Sequence, residues 1–305
     1  MLSRKGFDAA SGGVASPILP DGRLVSLPIP AAGAPVPFRE VRVNGAEAGP
    51  LVEALTGGRV RAGDRAHLDP DLDRGALPRR RGWRAAFGQL GAAQAHLAGR
   101  GVGPGDLFLF FGWFREVERS VGGWRYRDGA PDLHVIFGWL AVGEVLRAGV
   151  DADAIAARRP WLATHPHLHL AGARGNTIYV AADRLRVPGG PPDGLPGAGL
   201  FRTVQGALVL TSGGQPRRSL WRLPAPLRGA PLSYHADPRR WARDGDAALL
   251  RTVGRGQEFV LDCADLPEAV RWALGLVARG QTSAGCTARR ESAAARRIAR
   301  RTPPT

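Results

Sequence analysis

The chain has 305 residues, a formal net charge of +15 and 44% hydrophobic residues. That apolar content excludes a wholly disordered chain, and the lack of any apolar run of ~18 residues excludes a transmembrane helix. Two cysteines, Cys263 and Cys286, are too few for a disulfide scaffold or a cysteine-ligated zinc site. Lys5 is the sole lysine among 42 basic residues, beside 42 glycines and 25 prolines. This bias reads as a GC-rich coding sequence, so part of the arginine excess is not functional. The rest attracts polyanions such as nucleotides or nucleic acid. The opening MLSRKGFD carries charge at once and no apolar segment follows it. No secretory signal is therefore expected, and a cytoplasmic location is the default.

Residues 1–30 are rich in turns, with Leu24–Leu27 as a short strand after Asp21-Gly22. Residues 31–50 read as a loop or a short ribbon, with Val41 and Val43 alternating. Trp83, Phe87, Leu90 and Leu97 fall on one face of a helix over 82–98. Gln94 lies on that face, and Gly88 and Gly91 weaken the helix while permitting close backbone approach. A turn at 101–106 precedes a buried strand from Leu107 to Phe111. Leu133–Leu146 reads as a second strand, bulged at its glycines. Asn176–Ala181, Ala207–Thr211 and Gln257–Asp262 follow as strands. Asp265 caps a final helix with Leu266, Val270, Leu274 and Val277 as its apolar stripe and Gly280 as its stop. The Pro/Gly stretch 188–199 reads as a surface loop rather than a linker. The fold class is α+β, a mixed sheet with flanking helices, in one domain over 1–281. Residues 282–305, with a net charge of +5, form a mobile basic tail.

Five groups of residues can carry chemistry. In Ser3-Arg4-Lys5-Gly6-Phe7-Asp8, Lys5 can act as acid, base or imine former, Arg4 can hold phosphate, and Asp8 can orient Lys5. Against this stands a lysine that survives by chance near a frayed end. His67, Asp69, Asp71 and Asp73 alternate, so an extended backbone puts them on one side. They suit a hard divalent cation or general acid–base work, or they form a solvated acidic loop. His165, His167 and His169 alternate as well, yet no HExxH or carboxylate nearby completes a metal pattern. The sequence therefore assigns no metal ligands and names no cofactor. Phe108, Phe110, Phe111, Trp113, Phe114, Trp124, Trp139 and Trp161 crowd the middle third and either fill a core or sandwich a base. Tyr234-His235-Ala-Asp237 places a histidine and an aspartate two apart, as an orienting pair or as a turn before Pro238. No Walker A, dinucleotide-fingerprint, Gly-x-Ser-x-Gly or zinc-deaminase pattern is present.

In order along the chain, SRKGFD (3–8), SPILPDG (16–22), HLDPDL (67–72), GWRAAFGQLGAAQAHL (82–97), GVGPGDLFLFFGWF (101–114), HVIFGWLAVGEVL (134–146), NTIYVA (176–181), LSYHADPRRW (232–241) and GQEFVLD (256–262) resemble the nucleotide-modification-associated domain family, type three. The resemblance covers about residues 1–280 and implies an α+β domain associated with systems that hypermodify DNA bases. It implies an enzyme acting on a nucleotide or DNA base and carries over no reaction. On it, Lys5, Asp8, His67, Asp69, Asp71 and His235 are the candidate catalytic residues. Ser3, Arg4, Gln94, Trp113, His134, Trp139 and Tyr234 are candidates for substrate binding. A looser likeness of residues 101–146 to the β-barrel of PUA- and EVE-type base readers supplies the rival expectation, a non-catalytic reader with an aromatic pocket. Nucleotide or DNA is the expected partner, no membrane is expected, and the oligomeric state is open.

Overall fold

The computed structural model describes residues 1–170, 172–186, 193–214, 217–254 and 256–280. The main sheet has nine strands: β1 (Leu2–Arg4), β2 (Ser16–Ile18), β3 (Ala86–Gln89), β4 (Leu107–Ser120), β5 (Gly123–Tyr126), β6 (Leu133–Leu146), β7 (Thr177–Ala181), β8 (Ala198–Leu200) and β9 (Glu258–Phe259). Its main path runs β9-β1-β4-β6-β7-β3, while β2 and β5 pair with β4 and β8 pairs with β6. The sheet is mixed, since β1 and β2 run parallel to β4 and its other pairs are antiparallel. The fold is therefore α+β.

β4 and β6 form the centre because their apolar runs are continuous, which suits strands covered on both faces. Phe108, Phe110, Phe111 and Phe114 are almost fully buried. The register of β6 shifts between Ile136 and Gly138 and again between Val142 and Glu144, at the expected glycines. A Cβ on Gly138 would stand 2.5 Å from Leu72 Cδ1, so a larger residue would push that leucine off the sheet.

The two end strands meet without pairing. Gln89, at the end of β3, donates from Nε2 to Glu258 Oε1 of β9 at 2.7 Å. The six-strand path thus curls into a half-barrel closed along one seam by side chains. Phe87, Phe108, Phe110 and Tyr179 fill its concave side in edge-on and stacked contacts. Two further units pack around it. One, built on Phe7, Val25, Phe38, Leu51 and Val52, contains the helix α1 (Ala48–Leu55). The other is a three-stranded sheet of Leu220–Pro224, Ala247–Arg251 and Trp241–Asp244.

Several expectations need correction. The predicted helix over 82–98 is β3 followed by a shorter helix, α2 (Gly91–Gly99). The ladder from Ala86 to Gln89 along β7 overrides a spacing that only mimicked a helical stripe. Leu24–Leu27 is buried coil with one isolated bridge at Leu24. Residues 207–211 hold a 3-10 turn (Gly206–Leu208) and two isolated bridges. The ribbon in 31–50 exists as Arg42–Val43 against Ala46–Glu47, and α1 behind it was not anticipated. Another helix, α3 (Ala148–Arg158), follows β6. The last helix, α4, occupies 267–280 and begins with Pro267 in its first turn. Part of the 188–199 stretch, 187–192, and the whole tail from 281 lie outside the described residues. Among the described residues no helix is long and apolar enough to cross a membrane.

Candidate functional site

Strand alternation sorts the predicted residues into two groups. Ser3 and Lys5 face the concave side with Phe110, since Ser3 pairs with Phe110 across β1 and β4. Arg4, Trp113, His134 and Trp139 face the other way.

On the concave side, Glu258 is the hub. Its Oε1 accepts from Lys5 Nζ at 2.9 Å, from Ser3 Oγ at 3.0 Å and from Gln89 Nε2 at 2.7 Å, while its buried Oε2 has no partner among the described residues. The Lys5 and Glu258 side chains are 9% and 1% exposed. Lys5 Nζ also sits 4.5 Å from the centre of the Phe87 ring, a cation–π contact. These side chains bridge the seam, with the lysine from just past β1, the glutamate from β9 and the glutamine from β3.

Beside it, along the free edge of β3, lies a second cluster. The segment after His67 runs next to β3, where Asp71 and Ala86 exchange backbone hydrogen bonds. The Gly88 N–H of β3 donates to Asp69 Oδ1 at 2.6 Å. The 3-10 turn Pro166–His169 packs across the outer face of β3, bringing His165 Nε2 within 3.5 Å of Asp69 Oδ1 and His167 Nε2 within 3.8 Å of Asp69 Oδ2. Only a glycine allows this approach, because a Cβ on Gly88 would fall 2.2 Å from the His167 ring. The His67 ring lies edge-on to His167 at 5.2 Å. Donor atoms of His67, Asp69 and His167 all lie within 4.8 Å of one another.

Burial dominates the electrostatics of this cluster. It pushes the Asp69 carboxyl up to about 7, against the pull of Lys5 and the Gly88 N–H. Burial, then the His167 and Lys5 charges, brings His67 down to about 3. Burial brings His167 down to about 4 and holds His165 well below the ordinary histidine value. At neutral pH the three imidazoles carry no charge.

The remaining predicted residues do other work. Asp8 does not orient Lys5: its Oδ1 accepts from the N–H groups of Ala10 and Ser11 and closes a local turn. Asp71 is turned away from His67 and Asp69 and accepts from Arg79 Nη1 at 2.7 Å and Nη2 at 2.5 Å. Asp73 caps the turn Arg74–Ala76. His235 is fully buried, with Nδ1 on the Ser233 carbonyl at 2.8 Å and Nε2 accepting the Val253 N–H at 3.2 Å. Both ring nitrogens are thus used by backbone, and Asp237 pairs with Arg239 instead. Arg4 donates to the carbonyls of Gly254 and Gly256. Trp113 donates to Asp132 and lies under Arg218, and His134 accepts from the Trp221 indole. Trp139 is 3% exposed, bonded to the Pro196 carbonyl and packed on Phe201. For this ring the core-filling alternative fits its burial. Gln94 accepts from Tyr179 at the end of the half-barrel, and exposed Tyr234 leans on His96 near the seam. His169 bonds to the Ala163 carbonyl, apart from the other two histidines of its triplet.

Sequence reasoning did not single out Glu258, Gln89, Asn176 or Gly88 as site residues. Glu258 carried a usable signal, an acidic residue inside the apolar string GQEFVLD. A cavity of about 450 Å³ lies on the opposite face of β1 and β9, lined by Leu2, Leu109, Leu223, Trp241 and Trp272 among others. The Met1 amine, Arg100, Asp106, Asp262 and Cys263 also line it, but the seam is the stronger candidate because its ionisable groups are in direct contact with one another.

The family model for nucleotide modification associated domain 3 matches residues 1–262. That span includes both clusters. No curated protein and no solved structure matches the chain.

Proposed function

Because the chain belongs to the nucleotide modification associated domain 3 family, we propose that it is an enzyme that modifies a nucleotide or a DNA base, with its reaction centre at the seam. One observation carries this reading: Lys5, Glu258, His67, Asp69 and His167 come together from four distant segments, although an apolar seam would close the half-barrel more cheaply. Buried ionisable groups with perturbed protonation cluster at functional sites, where chemistry needs them. Lys5, fixed by Glu258, supplies the positive charge for a phosphate oxygen or for negative charge developing on the base. Ser3 and Gln89 position Glu258. His67 and His167 present neutral imidazoles beside it. Arg4, Trp113, His134 and Trp139 have no part in the chemistry on this reading, and a tryptophan cage for a modified base gains no support.

The test is nucleoside analysis. DNA and the nucleotide pool from cells expressing the chain are digested and compared by mass spectrometry with those from cells expressing Lys5→Met. A mass-shifted nucleoside present with the wild type and absent with the variant supports the reading. Identical profiles from wild type and empty vector overturn it.

A further inference from the structure

We propose that His67, Asp69 and His167 bind one divalent transition-metal ion of the zinc or iron(II) class at the seam. Two imidazoles and one carboxylate are a donor set for such ions, and three protein ligands leave coordination positions open for water or substrate. Ligand bonds of about 2.0–2.2 Å bring donors to roughly 3.5 Å from one another. The present spread, within 4.8 Å, closes to that by small side-chain rotations.

The hydrogen bonds around the cluster leave the right atoms free. The Asn176 amide nitrogen donates to the carbonyls of His167 at 2.7 Å and Leu170 at 3.1 Å, so its Oδ1 must be the atom 2.6 Å from His167 Nδ1. His167 therefore carries its proton on Nδ1 and presents a bare lone pair at Nε2. Holding a ligand histidine through its second nitrogen is the usual outer-shell arrangement at metal sites. Asp69 shows the same division of labour. Its Oδ1 is taken by the Gly88 N–H, and its Oδ2 faces His167 Nε2. Two electron-rich atoms confronting each other at 3.8 Å repel unless a cation or a proton lies between them. The His67 ring has no hydrogen-bond partner among the described residues.

An independent observation points the same way. His165 is 2% exposed and its Nε2 has no hydrogen-bond partner among the described residues, yet it is aimed at Asp69 Oδ1 from 3.5 Å. A hydrogen-bonded Asp–His network would satisfy these atoms at shorter range, and separations of 3.5 and 3.8 Å do not. The nearby Lys5 charge, which would oppose a cation, is matched by Glu258 at 2.9 Å.

The full chain, treated with chelator and dialysed, is titrated with Co(II) alone and followed by visible absorption, with Zn(II) as a competitor. One equivalent is expected to bind per chain. Asn176→Ala should weaken binding roughly 10–100-fold. His67→Ala, Asp69→Asn and His167→Ala should each weaken it by more. His169→Ala should leave it unchanged. Failure of the wild type to take up an equivalent overturns the proposal and needs no variant to fold. So does an affinity indifferent to Asp69→Asn and His167→Ala in chains whose circular dichroism matches the wild type. Uptake is read without any nucleotide, so its failure leaves the nucleoside test above intact, and the converse holds.

Discussion

The seam's ion pair makes the sharpest prediction about stability. Glu258→Gln keeps the shape of the side chain but removes the counter-charge of Lys5, whose side chain is 9% exposed. It also turns a carboxylate oxygen that accepts from three donors into part of a neutral amide. Breaking a buried pair from one side costs about 3–5 kcal/mol, because the surviving charge stays desolvated. At roughly 2–4 °C per kcal/mol for a domain of this size, Tm should fall by roughly 6–20 °C. Lys5→Met should cost a similar amount, since it strands the carboxylate instead. The double variant Lys5→Met/Glu258→Leu should recover most of the loss, because it removes both desolvated charges and adds apolar contact to Phe87. Differential scanning calorimetry near neutral pH on all four proteins decides the matter. If Glu258→Gln melts with the wild type, or if the losses in the double variant simply add, the pair is not coupled across the seam and the account of how the half-barrel closes is wrong.

Further outcomes can be checked alongside. Gly88→Ala places a methyl where the His167 ring now lies. It should displace that ring and abolish Co(II) uptake while leaving the far-UV circular dichroism of the sheet in place. Trp139→Ala should cost about 3–5 kcal/mol as a core cavity, whereas Trp139→Phe, stable enough to assay, should bind oligonucleotides as the wild type does in a fluorescence-anisotropy titration. His134 is brought down to about 3, by burial and then the Arg218 and Arg4 charges, from an ordinary 6.5. A depressed histidine stabilises the fold above pH ~6.5 and loses that contribution as pH falls through the folded value, roughly 5 kcal/mol at full extent. His134→Gln keeps an acceptor for Trp221 and cannot protonate. The difference between its urea-unfolding free energy and that of the wild type should therefore narrow steadily as pH drops below 6.5, and a constant difference would refute the assignment. Asp69 has the opposite sign, with stability lost as pH rises through about 7, so only this difference isolates His134.

The centre of the sheet was legible and its edges were not. β4 and β6 announce themselves because long apolar runs have few other fates, and glycines in a strand mark where the register slips. β3 was hidden because Trp83, Phe87, Leu90 and Leu97 are spaced as a helix would space them, and nothing local reveals that β7 will pair with Ala86–Gln89. The site divides in the same way. Lys5, His67 and Asp69 stood out by composition and alternation. His165 and His167 stood out as well, but as a set apart, because the carboxylate they approach lies about a hundred residues earlier. Expecting Asp71 alongside His67 assumed that alternation continues, whereas Arg79 takes that carboxylate. Glu258 could not be matched to Lys5 in advance, since their meeting depends on how far a sheet curls.

The hydroxyl of Ser3 reaches a carboxylate 255 positions downstream. A ribosome therefore makes the lysine long before its counter-ion. Until the final tenth of the described chain emerges, the opening strand lacks its antiparallel neighbour and Lys5 has no anion to meet. Chains that stop short of Glu258 lack this ion pair. On the proposed reading, the reactive centre is complete only once Glu258 has been translated.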